Sequence, residues 1–383
     1  MAKEETKKEA APVKPEAGAK RPPPSGLEKR RSAAADVAKL RDEIMQKGNR
    51  EFKDEGFRTS EDMLGNVRGF VKTGIVPLDV ILGGEVGRGF ALGRSSELLG
   101  EADVGKTTIG LLLLRNIQAQ GGLGIVIDTE KTLTSQRLSE MGVDIARLVV
   151  VEDNVIESIC DRILFILEKL KDRPGVIVWD TIASTKSRRD KGRKIGESMS
   201  FGRHAQILSA AFRAFAEPLA ASRAALIMVN QRKEGGIGDM FVTERKRDAT
   251  LGGGAMKFHP SQRLKLSFLN TRKAGEEKGS HQAMTVSATM LKNKIQPTRL
   301  QARLLLRTTG EVAQFDDAAS IIETMVKWGE FNKEGRVLMA DAEGGAKHTR
   351  VSFSKAYKED AEFRLRMGRL VEDAHRRLNL REA

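Results

Sequence analysis

The sequence predicts an α/β fold built on a mainly parallel central sheet, and three observations carry that expectation. Short, largely apolar runs at 124–128, 148–151, 176–180 and 225–230 read as buried strands. Between them, 156–170 and 201–221 repeat apolar residues at helical spacing. This alternation places helices on both faces of a parallel sheet and gathers ligands at the carboxyl ends of its strands. The third observation is Gly100-Glu101-Ala102-Asp103-Val104-Gly105-Lys106-Thr107, followed by Thr108, which fits the phosphate-binding pattern G-x-x-x-x-G-K-[ST] without a mismatch. A short strand at 96–99 leads into it and an apolar helix at 108–117 leads out.

Each residue type in that loop has a task. Gly100 and Gly105 permit backbone conformations closed to residues with a Cβ. Lys106 brings a point charge to the β and γ phosphates, and the Thr107 hydroxyl is a ligand for Mg²⁺. The helix N-terminus meets the negative charge, so the chain is expected to bind a nucleoside triphosphate. Asp180 closes the strand at 176–180, where a carboxylate holds the metal through water and Thr181 adds a hydroxyl. Glu130, just past the strand ending at Asp128, fits a residue that orients and activates the attacking water. Gln231, directly after Asn230, fits a sensor of the γ-phosphate. Both equally fit loop residues facing solvent.

The rest of the chain divides by composition. Residues 1–33 are rich in Lys, Glu, Ala and Pro, including Pro22-Pro23-Pro24, and read as a disordered basic tail without the apolar segment of a secretory signal. Residues 34–70 are an N-terminal helical and linker segment with a helix expected at 34–46, and 71–308 form the core. Residues 309–383 read as a small α+β C-terminal domain: Ile321, Ile322, Met325, Val326 and Trp328 at helical spacing, a loop or hairpin, and a long charged helix at 358–378. A net charge of +14 over 383 residues favours a polyanionic partner, nucleic acid before membrane, and a merely soluble basic surface is the alternative. Cys160 is the only cysteine, which excludes a disulfide and a multi-cysteine zinc site and fits a reduced, cytoplasmic compartment.

The order of these motifs resembles that of the bacterial RecA recombinases from about Thr73 onward. Thr73-Gly74-Ile75-Val76-Pro77-Leu78-Asp79 is similar to the family's lead-in, followed by Gly93-Arg94 and the phosphate loop. Ile127-Asp128-Thr129-Glu130 matches the strand of the family's catalytic glutamate, and Asn230-Gln231 its phosphate-sensing glutamine. Gly252-Gly253-Gly254-Ala255-Met256-Lys257-Phe258 and Leu291-Lys292-Asn293-Lys294-Ile295 resemble two further segments, more diagnostic than the loop itself. The resemblance implies a RecA-type P-loop ATPase core, ATP and Mg²⁺, and DNA-dependent hydrolysis. It also implies a helical filament on single-stranded DNA that pairs with homologous duplex DNA and exchanges strands, nucleoid-associated or in a host's cytoplasm. Lys292 and Lys294 would then reach the γ-phosphate of the adjacent protomer, with Lys257 and Phe258 at the same interface. Without the resemblance, the lysine pair also fits the solvated edge of a strand.

Two segments resemble the family's DNA-binding loops. The first, at 186–200, carries Arg188, Arg189, Lys191, Arg193, Lys194 and Met199. The second, at 231–252, carries Ile237, Met240 and Phe241 before Arg245-Lys246-Arg247. Large apolar side chains among glycines can wedge between bases while cations take the backbone. Ser209 and Arg213 match positions near the DNA backbone, an ordinary exposed helix face being the alternative. In the C-terminal segment Lys327, Lys333, Arg336, Lys347 and Arg350 offer charge to duplex DNA, and Trp328 reads as a core anchor. Departures from the family pattern fit a divergent, phage-borne version. Thr134 and Arg137 stand where an acidic residue and a tyrosine are common near the adenine, with Arg137 suited to stack on the base; both loops are more basic than usual; and the end, Arg376 to Ala383, is not acidic. A ring-forming DNA motor and a nucleotide-gated DNA-binding regulator with little turnover remain as alternatives. Lys292-Asn293-Lys294 argues against the first and Glu130 against the second.

Overall fold

A computed structural model of the chain describes residues 26–53, 56–61, 63–190, 201–231, 252–272, 282–296, 298, 300–309, 312–332, 339–340 and 347–382. The chain divides into two compact units, 1–63 and 64–383.

In the first unit, helix α1 (Gly26–Phe52) extends beyond both ends of the helix expected at 34–46 and takes in the last residues of the expected tail. It begins after the Pro22-Pro23-Pro24 run, where Leu, Glu, Lys, Arg and Ala, all good helix formers, follow one another. Val37, Leu40 and Ile44 share one face of α1 and are exposed. The chain then turns back: the Asn49 side chain donates to the Phe57 carbonyl and accepts from its N–H, each at 3.0 Å.

The second unit contains the central sheet. A small β1 (Phe70–Val71) pairs with β2 (Phe90–Ala91) around helix α2 (Val76–Gly83). Strands and helices then alternate as expected: β3 (Arg94–Gly100), α3 (Lys106–Ala119), β4 (Leu123–Asp128), α4 (Ser135–Glu140), β5 (Leu148–Val151), α5 (Ile156–Leu170), β6 (Gly175–Asp180), α6 (Phe201–Ala221), β7 (Ala224–Gln231) and α7 (Gly253–Phe258). The strands β8 (Gln262–Arg272), β9 (Gln282–Asn293), β10 (Gln301–Thr309) and β11 (Val312–Asp316) follow, then α8 (Asp317–Lys327), the pair β12 (Met339–Ala340) and β13 (Lys347–His348), α9 (Arg350–Glu359) and α10 (Ala361–Glu382). Among the described residues the main sheet has nine strands in the order β11-β10-β9-β8-β3-β7-β6-β4-β5. From β8 to β5 the neighbours are parallel, and β9, β10 and β11 add antiparallel strands at one side.

Residue alternation divides the core between the two faces of the sheet. Leu98, Val126, Val178, Ile227 and Leu264 join α2 and α3, through Leu78, Ile81 and Leu113 among others. Ile125, Ile177, Trp179, Leu226 and Met228 join α5, α6 and α7 through Ile163, Phe215 and Met256. Cys160 lies in this second layer, where burial pushes its thiol up to about 12 and leaves it unreactive.

A third cluster joins α2 to α8, α9 and α10 through Val80, Ile321, Phe353 and Val371. Residues 309–383 begin inside the main sheet, because Leu305 to Thr309 pair with Val312 to Asp316. The helix expected at 358–378 is α10, which starts three residues later and ends four residues later: α9 ends at Glu359, and the Asp360 carboxylate accepts from the N–H groups of Glu362 and Phe363 at 2.8 and 3.0 Å, starting α10. Trp328 packs against the core and donates its Nε1–H to the Gln301 carbonyl at 3.0 Å. Arg350, expected to offer charge to duplex DNA, is instead engaged 2.6 Å from the buried Glu323, whose carboxylate requires a counter-charge. Lys333 and Arg336 lie outside the described residues, as does the side chain of Lys347. No helix among the described residues is long and apolar enough to cross a membrane.

Two carboxyls, one buried and one half-buried, fasten α2. Asp79 accepts from the N–H and hydroxyl of Thr73, both at 2.7 Å, and Asp317 accepts from the Val76 N–H at 2.7 Å and the Tyr357 hydroxyl at 2.6 Å. Burial raises the Asp79 carboxyl to about 7 and that of Asp317 to about 6. Between the unfolded value near 4 and these values the folded chain holds more protons than the unfolded one, so stability falls as pH rises through that window. Asp79→Asn should therefore gain on the wild type, by on the order of 2–3 kcal/mol between about pH 5 and pH 8, in urea unfolding at the two pH values.

Candidate functional site: a phosphate loop and its surroundings

The phosphate loop leaves β3 at Gly100 and enters α3 at Lys106. A Cβ on Gly100 would stand 2.5 Å from the Leu266 carbonyl of the neighbouring strand. Gly105 has φ +88°, and a Cβ there would meet the Phe315 ring of β11 at 2.6 Å, so the β10–β11 hairpin backs the loop. Both positions require glycine, one for close backbone approach and one for the left-handed conformation as well. Helix α3 starts without a side-chain cap, which leaves its first N–H groups available to an anion.

Side chains from three strand ends converge on this helix start. The Thr107 hydroxyl donates to Asp180 Oδ2 at 2.7 Å, joining α3 to the end of β6. The Lys106 ammonium folds back onto the Glu101 carbonyl. Burial lowers the Lys106 pKa, and Asp180, Asp103, Glu130 and Glu101 oppose that shift. Burial also holds the Asp180 carboxyl above the usual carboxylate range; the Thr107 hydrogen bond counters it, Glu130 and Asp128 add to it, and Lys106 opposes it. A cation at Thr107 and Asp180 would relieve that desolvation, and one hydroxyl with one carboxylate suits Mg²⁺, which keeps waters and shares phosphate oxygens. The Asp180–Thr181 peptide is cis. Thr181 does not turn its hydroxyl to this metal position: it donates to the Val229 carbonyl at 2.7 Å.

Glu130 is exposed but held. The buried Asp128 carboxylate accepts from the N–H groups of Glu130, Lys131 and Leu133 at 3.1, 2.7 and 3.0 Å, which shapes the turn after β4. The Ser184 hydroxyl then donates to Glu130 Oε1 at 2.7 Å. Gln231 lies opposite Gly100 in the parallel β3–β7 register, at the mouth of the loop. Ser184 and the role of Asp128 escaped the sequence reading; an Asp followed by a loop at a strand's end was the available signal for the second.

Other expected residues lie elsewhere. Arg137 sits on α4 behind Thr134, whose side chain caps that helix by accepting the Arg137 N–H at 3.1 Å. Lys292 and Lys294 come at the end of β9, where Asn293 pairs with Gln262 and Gln262 with Ser96. That is level with Glu97 and Ser96, in the middle of β3, about 10–13 Å back along the strand from Gly100 at 3.3 Å per residue. Lys292 Nζ donates to the carbonyls of Phe258 and Lys257 at 2.6 and 3.2 Å. Partial burial, with Lys294 and Arg263 nearby, lowers Lys292 to about 8. Ser209, Arg213, Phe258 and His259 line one groove of about 500 Å³, and Phe258 is 76% exposed beside it. Residues expected at DNA and residues expected at the subunit contact thus share this groove. Arg188 and Arg189 are exposed in a short 3₁₀ turn, with the Arg188 N–H donating to Glu157 at 2.8 Å. Lys191, Arg193, Met199, Ile237, Met240, Phe241, Arg245, Lys246 and Arg247 lie outside the described residues.

Residues 43–309 match the family model described as the RecA N-terminal domain. The chain belongs to the RecA family. It is similar to Protein RecA of Frankia alni, with 31% identity over 268 residues covering 69% of this chain and 72% of the relative. Against Protein RecA of Frankia casuarinae the identity is 30% over 307 residues, covering 79% and 83%. Protein RecA of Aquifex aeolicus is 31% identical over 267 residues, covering 69% and 72%. The family assignment accords with the order of the motifs and with the mostly parallel sheet.

Asp128→Ala removes three hydrogen bonds from one turn. It should cost about 2–3 kcal/mol in urea unfolding; a loss within 0.5 kcal/mol, roughly the scatter of surface substitutions, would show that the turn holds without the carboxylate.

Proposed function

We propose that the chain is an ATP-dependent DNA recombinase that forms a helical filament on single-stranded DNA and promotes homologous pairing and strand exchange with duplex DNA. Family membership supports a recombinase-type function in general. The observation that carries the finer reading is the separation of the phosphate loop, at the carboxyl end of β3, from the lysine pair, which lies two strands away and level with Glu97 and Ser96. Within one subunit Lys292 and Lys294 are far from Gly100, whereas a neighbouring copy stacked end to end can bring them to it. One site is then completed by two copies, repeated along a filament.

In this reading Lys106 and the free N–H groups of α3 bind the ATP phosphates. Thr107 and Asp180 would hold Mg²⁺, which when bound neutralises phosphate charge. Glu130, steadied by Ser184, orients the attacking water and takes its proton. Lys292 and Lys294 of the neighbour stabilise charge developing on the γ-phosphate, with Phe258 and Lys257 packing beside them. Gln231 touches the γ-phosphate and opens the segment 231–252, so nucleotide state and DNA grip meet at one residue. The cations at 186–200 and 245–247, with Ser209 and Arg213, take the DNA backbone, and Ile237, Met240 and Phe241 separate bases. Residues 34–70 add a protomer contact through the exposed face of α1, and Arg137 stacks on the adenine.

Electron microscopy with Mg²⁺, a slowly hydrolysed ATP analogue and single-stranded DNA should show extended helical filaments, absent in Lys292→Ala/Lys294→Ala. Closed rings would favour a motor on the same core, and isolated bound particles a regulator. Glu130→Gln should keep the filaments but lower DNA-stimulated phosphate release by at least about 100-fold.

A further inference from the structure

A row of buried polar side chains crosses the sheet from the phosphate loop to the lysine pair. The Gln231 N–H donates to Asn230 Oδ1 at 3.0 Å, and Asn230 Nδ2 donates to Glu97 Oε1 at 2.9 Å. Arg263 Nε donates to Glu97 Oε2 at 2.6 Å, and Arg263 pairs in register with Lys292 across β8 and β9. Glu97 and Asn230 are fully buried and Arg263 is 7% exposed. All three alternate with residues of the α2–α3 layer, Leu98, Val229 and Leu264, so they lie on the opposite face, under α6 and α7. The far end grips α7, because Lys292 donates to the carbonyls at that helix's C-terminus. The near end is Gln231, where the segment leading to α7 begins. The row therefore joins Gln231 to the end of α7.

Stability does not account for such a row. Apolar residues of similar volume commonly hold a sheet as well as a buried ion pair does, since desolvation takes back most of the attraction. A chain of hydrogen bonds with one ion pair does have a property that an apolar trio lacks: moving one member shifts the partners and charges of the next.

We propose that Glu97, with Asn230 and Arg263, is a positioning relay that ties the γ-phosphate end of a subunit's own nucleotide site to the lysine pair it presents to its neighbour. The inference rests on the proposed function. When Gln231 is drawn to a γ-phosphate, Asn230 and Glu97 follow, and Arg263 resets Lys292 and the end of α7. Occupancy of one nucleotide site is thereby passed to the next site along the filament, as a coupling between sites.

The test is an ATP titration of hydrolysis by the full chain with Mg²⁺ and oligo-dT, beside binding of a fluorescent ATP analogue without DNA. The wild type should be sigmoidal, with a Hill coefficient above about 1.5, and Glu97→Gln and Asn230→Ser should each bring it to about 1. Analogue affinity without DNA should stay within about two-fold in both variants, because neither residue touches nucleotide. Asn230→Ser decides the matter alone if Glu97→Gln does not fold, since it introduces no unpaired charge. A merely structural role would lower the maximal rate and leave the sigmoid intact, which overturns the relay, as would a hyperbolic wild type. A wild type that binds no analogue and shows no DNA-stimulated hydrolysis would overturn the proposed function and the relay together.

Discussion

The site depends on the register of β3. This strand lies between β7 and β8, so the position of Gly100 is fixed by two sets of parallel hydrogen bonds. One set places Gly100 opposite Gln231 and the other opposite Leu266. A slip of one residue would turn Leu98 out of its layer and Glu97 into it, burying a carboxylate against α2 and α3 without a partner. The placing of Leu98 in one layer and of Glu97 on the opposite face thus sets where the loop begins, and the loop sets where α3 points its first N–H groups.

Much of this was legible in the sequence because the signals were local. The strands at 124–128, 176–180 and 225–230 and the helices at 156–170 and 201–221 stand where apolar spacing put them, within a residue or two at each end. The meeting of Thr107 with Asp180 was legible because a strand's end is a definite place. Long-range partners could not. Nothing in the sequence pairs Ser184 with Glu130 or Glu97 with Arg263, which are 54 and 166 residues apart. Arg350 was misplaced for the same reason, since its partner Glu323 is buried in a helix that reads from sequence as an amphipathic face. The break at Asp360 was local, yet charged residues on both sides hid a cap that depends on backbone geometry.

Burial of charge separates two kinds of polar residue in this molecule. Glu97 and Glu323 have opposite charges within 2.6 Å, so their desolvation is offset inside the subunit. Asp180 is offset only in part: it has the Thr107 hydroxyl and Lys106, yet burial keeps it raised and Glu130 and Asp128 add to the shift. A carboxylate raised in this way is an unfinished electrostatic environment, and a divalent cation is the species that would finish it.

The same reasoning applies at the lysine pair with the sign reversed. Lys292 is lowered to about 8 by partial burial beside Lys294 and Arg263, so its charged form lacks enough compensation within the subunit. Phe258, beside it, exposes most of an aromatic ring that would be worth about 1.5–3 kcal/mol if buried. An excess of positive charge next to an uncovered ring is a surface that gains from meeting an anion and an apolar neighbour together. The loop end is also electropositive, an uncapped helix start suited to bind an anion. In the filament proposed above, an anion held at the loop end of one copy would be met by the lysine pair of the next, so that both electropositive surfaces are compensated by the nucleotide between them.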